Sequence, residues 1–261
     1  MLGITRTAQI AAWRAPSGPV NPRRTGTAAT ISTVTFSGYN GANYSTAKAQ
    51  FGAGALDITG STQLIYTNSY NSSTSGGGWP TGTGDFCIEG WVWVPAARSS
   101  TQTGDMVALN VSGGLGIRFG NGYNSGSFNY IQIWARGQAD LDRAPYTWPR
   151  DRWVHWAAQR KSGVISFWAD GNKLVRENGP SGTAATRSFA SGTAQLTIGS
   201  YDNGGSSDET MKSWVDELCV SNSWRYDDSY STYTIPTSAF TVDQYTNFLI
   251  HFDSSLTSAG S

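Results

Sequence analysis

Apolar and polar residues alternate with a period of two along most of the chain, in short runs that end at glycine or at polar turn residues. The strongest run is DFCIEGWVWV, residues 85 to 94. Phe86, Ile88, Gly90, Val92 and Val94 fall on one face of it, and Cys87, Glu89, Trp91 and Trp93 on the other. That is the pattern of a central sandwich strand. Shorter runs precede it at ISTVTF (31–36), ALDITG (55–60) and QLIYTN (63–68), and others follow at DMVALNV (105–111), GLGIRFG (114–120) and NYIQIWA (129–135). WVHWAAQR (153–160), the turn KSG and the return VISFWADG predict a hairpin that closes on the Asp-Gly pair Asp170 and Gly171. On the return strand Ile165, Phe167 and Ala169 point one way, and Ser166, Trp168 and Asp170 the other. AQLTIGS (194–200), SWVDELCVSNS (213–223) and NFLIHFD (247–253) complete the series, with Phe248, Ile250 and Phe252 aligned. No twelve-residue segment holds a 3.6-residue period, so the expected fold is all β.

A chain of 261 residues with 31 glycines fits one such domain, built from many short strands and tight turns. PSGPVNPRRTGTAAT has no periodic apolar face. The expected division is therefore an extended arm over 1–30, a sandwich over 31–253 and a short tail over 254–261. Formal net charge is zero, which gives no global attraction to nucleic acid or to an anionic membrane. The distribution is uneven, however. No acidic residue precedes Asp57, whereas Arg6, Arg14, Arg23, Arg24 and Lys48 all do. With Trp13, the arginines of the arm suit an assembly contact with an acidic neighbouring surface; the alternative is an arm folded back across its own sandwich. No run is long enough for a membrane-spanning helix, and MLGITRTAQIAAW lacks the apolar centre of a signal peptide, so Met1 reads as the start of the working protein. Two cysteines are too few for a disulfide scaffold, and with His155 and His251 they lack zinc-ligand spacing.

Five blocks in order, FGAGALDITG, GDFCIEGWVWV, RWVHWAAQR with ISFWADG, LTIGS and WVDELCVSNSWRY, span roughly residues 50 to 252. Together they resemble the concanavalin A-like, laminin G-like jelly-roll domains found in phage structural and tail-associated proteins. The resemblance implies a sandwich of two antiparallel sheets. RYDDSYSTYTIPTSAFTVDQYTNFLIHFD resembles the end of such domains. The LLLHFD-like strand that opens many of them is missing before FGAGALDI, so the terminal FLIHFD is expected to take its sheet position, the alternative being that it begins a second copy that was lost.

The resemblance also gives Trp153, His155, Ala157, Arg160, Asp170 and Gly171 architectural roles. Trp153 would cover the sheet edge, His155 would donate to a backbone carbonyl, Asp170 would accept from turn N–H groups, and Phe167 would anchor the hairpin. It sets Cys87 and Cys219 on neighbouring strands of one sheet, close enough for either packed thiols or a disulfide. At Trp156 relatives tend to carry valine, so this ring needs extra room.

Function follows less directly, because this fold carries lectins, adhesion modules, lyases and hydrolases. Retaining hydrolases of the fold need two carboxylates about 5 to 5.5 Å apart on one strand. Here Asp216 and Glu217 are adjacent, which puts them on opposite faces of a regular strand, DET at 208–210 reads as loop, and Glu89 stands alone. The expectation is a non-enzyme. Trp91, Trp93, Trp134, Trp156 and Trp168 are the candidate outward aromatics, as sheet cover, protein interface or sugar platform. Asp105, Asp140, Asp142, Asp202, Asp208 and Glu209 fall in or near predicted rim loops without D-x-D-x-D spacing, which leaves calcium as a weak candidate and no cofactor expected. The glycine-rich loops at 75–78 and 203–205 precede no helix and make no phosphate site. The leading expectation is a non-catalytic virion structural module, as capsid decoration, cement or tail-associated protein, that acts through other virion proteins in a homo-oligomer or larger assembly. The alternative is a carbohydrate-recognition module for host surface glycans, and the third reading is a glycan-active enzyme.

Overall fold

In the computed structural model the described residues are 21–28, 36, 38–60, 63–67, 70–71, 78–98, 103–120, 128–137, 140–178, 183–200 and 210–253. They form an all-β sandwich of the jelly-roll type, with no helix among them. The first sheet runs in the order β1 (Gly38–Asn40), β4 (Leu64–Tyr66), β16 (Leu196–Ile198), β7 (Gly104–Leu109), β8 (Leu115–Phe119), β9 (Tyr130–Ala135), β10 (Asp140–Pro145) and β14 (Glu177–Asn178). The second runs β13 (Asn172–Lys173), β12 (Val164–Ala169), β11 (Trp153–Lys161), β6 (Phe86–Trp93), β17 (Ser213–Ser221), β3 (Ala55–Ile58) and β2 (Asn43–Ser45). A small ribbon pairs β15 (Thr193–Ala194) with β5 (Tyr70–Asn71).

Cross-strand register explains why the inner faces stay dry. In the first sheet Ile65, Ile198, Val107, Ile117 and Ile133 stand directly opposite one another on five strands. Phe167, Ala158, Ile88, Val220 and Phe248 form the matching row in the second. All ten are buried. The large side chains among them each contribute about 1.5–3 kcal/mol by leaving water. Trp156 belongs to this inner layer, edge-on to Phe119 at 5.1 Å. It stands opposite Gly90, which has no side chain to compete for the space.

The hairpin forms as expected. Both of its tight turns carry positive φ at two successive residues, Ser162 and Gly163 at 49° and 78°, then Asp170 and Gly171 at 51° and 84°. Such turns follow the twist of paired strands. The FLIHFD segment supplies β18 (Thr246–Ile250), which pairs with β17 at Leu218–Ser221, on the edge where β3 pairs at Ser213–Val215. Between these two stretches β17 carries a bulge, with Glu217 at φ 54°.

Two expectations about organisation need correction. Residues 21–28, assigned to the outward arm, pack on their own domain: Arg24 N–H donates to the Arg225 carbonyl (2.7 Å), Gly26 N–H to Asp243 (2.9 Å), and Ala28 bridges Asp243. Arg6, Trp13 and Arg14 lie outside the described residues. Asp140 and Asp142, expected in or near a rim loop, are in strand β10, which Asp140 opens and whose charged and proline-ended sequence DLDRAP hides its alternation.

Candidate functional site

The outward face of the second sheet is a stack of side-chain rows set by strand register. Gln159, Cys87, Ser221 and Thr246 make one row, and Trp168, Ala157, Glu89, Cys219 and Leu249 make the next. His155, Trp91 and Asp216 form a third. In the last, Trp153, Trp93 and Trp214 stand directly opposite one another on β11, β6 and β17, and Asp57 and Asn43 extend the row on β3 and β2.

The first two rows are sealed by the strap 21–28 and the segment 222–245. Glu89 is wholly buried. Burial acts to raise its pKa, but Arg23 at 2.7 Å and the hydrogen bond of His155 outweigh this and hold the carboxylate well below its usual range. Tyr226 Oη donates to the second Glu89 oxygen at 2.8 Å. His155 is fully enclosed: Nδ1 meets Tyr233 Oη at 2.6 Å, Nε2 lies 3.6 Å from Glu89, and burial lowers its pKa. Its partners are therefore side chains and not the backbone carbonyl expected. Arg225 spans Asp243 with two bonds of 2.6 and 2.8 Å, and Gln159 accepts the N–H groups of Arg225 and Tyr226. Cys87 and Cys219 are buried free thiols in this layer, with pKa values raised by burial, so of the two expected states the packed thiols are found.

Burial also corrects the aromatic candidates. Trp156 and Trp168 are fully buried, and Trp91 and Trp134 retain 5% and 2% exposure. Trp168 lies under Tyr226 and Tyr233, and Trp91 under Phe51 and His155. Trp134 lies over Gly116, where even a Cβ would come within 2.4 Å of the indole. None of the four presents a ring face to a ligand. Asp170 also differs from expectation, since it pairs with Arg152 (2.5 Å) instead of turn N–H groups.

The fourth row remains open. Trp93, Trp153 and Trp214 are each half-buried. Three adjacent strands set them across about 10 Å. Trp93 and Trp153 pack edge to face at 6.0 Å, and Lys48 Nζ lies 4.0 Å above the Trp93 ring and 5.1 Å from Trp214. The loop carrying Lys48, between β2 and β3, is pinned from below: Asp216 Oδ2 accepts the N–H groups of Gln50 (2.9 Å) and Phe51 (3.2 Å). Burial raises the Asp216 pKa to about 7 despite these bonds. Glu217, turned by the bulge, takes Phe240 N–H (2.6 Å) and His251 (2.7 Å) instead. The strict alternation assumed for Asp216 and Glu217 therefore fails at this point.

Of the predicted aromatics only Trp93 belongs to the open row. The expectation for Trp153 is an architectural role, and the sequence pattern does not single out Trp214. Alternation within each strand puts both on outward positions, but their alignment depends on register between strands more than fifty residues apart, which no local pattern encodes.

The outward face of the first sheet carries Asp105, Arg118, Gln132, Arg143 and Glu177 in one cross-strand row. Asp105 is buried and held by Nε and Nη2 of Arg118 (2.9 and 3.0 Å), so its charge is already matched. Asp142 accepts from Arg176, Thr183 and the Ala184 N–H. Among the described residues no cluster of His, Cys, Asp or Glu forms a metal site. Asp202, Asp208 and Glu209 lie outside them.

This architecture is shared with known structures. The full-length tailspike protein 2 of an Escherichia coli O157:H7 bacteriophage aligns at 13% identity and TM-score 0.55, over 89% of this chain and 31% of that one. The enzymatically active domain of bacteriophage CBA120 tailspike protein 2 gives 13% identity and TM-score 0.54, over 89% and 35%. A heptameric SAP-like pentraxin of Limulus polyphemus aligns at 10% identity and TM-score 0.42, over 70% and 84%. The chain spans about a third of the tailspike chains it matches. No family profile matches the sequence, and no curated protein matches it. At these identities the likeness to the tailspike structures is one of fold.

Proposed function

We propose that this chain is a non-catalytic carbohydrate-recognition module of a virion tail-associated protein, and that Trp153, Trp93 and Trp214 form its binding surface. The observation that carries the reading is their in-register alignment at the end of the second sheet's outer face that the described residues leave open. A half-exposed indole offers an apolar face to the C–H groups of a sugar ring, and three of them on rigid strands form a prearranged surface. The fold shared with tailspike proteins supports the virion setting.

The leading expectation from sequence was an assembly role through an outward arm. Residues 21–28 make their contacts within the domain, which removes part of that support and favours glycan recognition. Non-catalysis is supported by the carboxylates on this side. Glu89 is sealed under the strap, Asp216 is committed to the Lys48 loop, and Glu217 is bound by Phe240 N–H and His251.

The test is a screen of the purified chain against host-surface saccharides, followed by titration of hits with Trp93→Ala, Trp153→Ala and Trp214→Ala. Saturable binding that each substitution weakens at least about tenfold supports the reading. Binding unaffected by all three, or none by the wild type, contradicts it. Turnover of a bound saccharide would overturn the non-catalytic part alone.

A further inference from the structure

The row has a positive centre. Among the described residues Lys48 makes no ion pair within 4.0 Å, and its ammonium is held against two indole faces of the row. Arg152, beside Trp153, is paired with Asp170. Asp57, opposite Trp214, accepts from the Thr59 N–H and hydroxyl at Oδ1, and Asp151 accepts the Ala96 N–H; these donors are neutral, and neither carboxylate comes within 4.0 Å of the Lys48 ammonium. Lys48 is also not on a loose tether. Two residues further on, the chain is fixed to the buried Asp216, and Phe51 packs edge-on to Trp91 at 5.7 Å.

From this we infer, building on the carbohydrate reading above, that the ligand is an acidic saccharide whose carboxylate, sulfate or phosphate group is received by Lys48 while an adjacent sugar ring lies against the tryptophans. A neutral sugar would leave the ammonium without an anionic partner. An anionic substituent instead completes a charge-assisted contact at a site where the cation is already oriented and partly desolvated by the indoles. The indoles give the surface its contact area, and Lys48 makes it discriminate by charge.

The experiment uses the full chain and three matched probe pairs: an oligouronate and its carboxyl-reduced form, a sialylated and an asialo oligosaccharide, and a sulfated and a desulfated oligosaccharide. Each pair is titrated with wild type, Lys48→Gln, Lys48→Arg and Trp93→Ala, at low and at high salt, with thermal unfolding as the folding control. At least one acidic probe should bind on the order of five- to tenfold more tightly than its neutral partner, a margin that falls with added salt. Lys48→Gln should erase the margin, Lys48→Arg should retain most of it, and Trp93→Ala should weaken both members of the pair. Equal binding of acidic and neutral probes, or a margin unchanged in Lys48→Gln, overturns the inference about charge and leaves the glycan surface intact. Absence of binding to every probe, or binding insensitive to Trp93→Ala, overturns both.

Discussion

At Trp93 one side chain serves two environments, packed nearly perpendicular to Trp153 and with a face under Lys48, while its neighbour Trp91 two residues back packs against Phe51 and His155. The difference lies entirely in what crosses above each residue. Beneath the same loop, Asp216 sets a second residue-level consequence. Its pKa is raised to about 7, above the unfolded carboxylate value of about 3.9. Below the unfolded value its stabilising contribution is complete, and it is lost as pH rises through about 7. Compared with Asp216→Asn, the wild type should therefore lose relative stability between pH 5 and pH 8. His155, whose pKa is lowered by burial, acts in the opposite sense in both proteins and cancels in the difference. Urea unfolding of the pair across that range checks this, and parallel profiles would show that Asp216 stays ionised throughout.

At the scale of elements, the β11–β12 hairpin carries both layers of the second sheet. Phe167 and Trp156 face inward, and Trp153, His155 and Trp168 face outward. Phe167→Ala and Trp156→Ala should each destabilise the fold by about 3–5 kcal/mol through lost transfer energy and a residual cavity, read by chemical denaturation. A cost under about 1 kcal/mol would contradict their place in the core. These strands were legible because their alternation is strong and their turns end in glycine. β10 was not, since Asp142 points into a polar pocket at the sheet edge and Pro145 ends the strand, both against the expected pattern. The β17 bulge was equally hidden, because one positive-φ residue at Glu217 leaves no mark on composition. The open row was half legible: each tryptophan's outward position could be read, but not which strands lie side by side or which rings stay uncovered.

For the whole molecule, the strap 21–28 ties the start of the described chain to its end. Arg23 reaches Glu89, Arg24 stacks on Trp224 and Tyr245, Asn21 bonds to Asp227, and Gln244 N–H donates to Thr27. Arg23→Ala would leave Glu89 buried with less compensation, for about 3–5 kcal/mol. Deletion of residues 1–28 should lower the melting temperature well below that of the chain lacking only 1–20. Equal melting temperatures for the two truncations would show that the strap adds no stability.

Among the described residues the sandwich and strap thus leave one end of the second sheet's outer face uncovered, and the central claim is that this end binds saccharide. The most direct test is to follow the indole N–H resonances of the labelled protein during titration with a saccharide found by screening. The resonances of Trp93, Trp153 and Trp214 should shift together and saturate, while those of the enclosed Trp156 and Trp168 stay in place. Saturable binding that leaves the three row resonances unmoved would contradict the account.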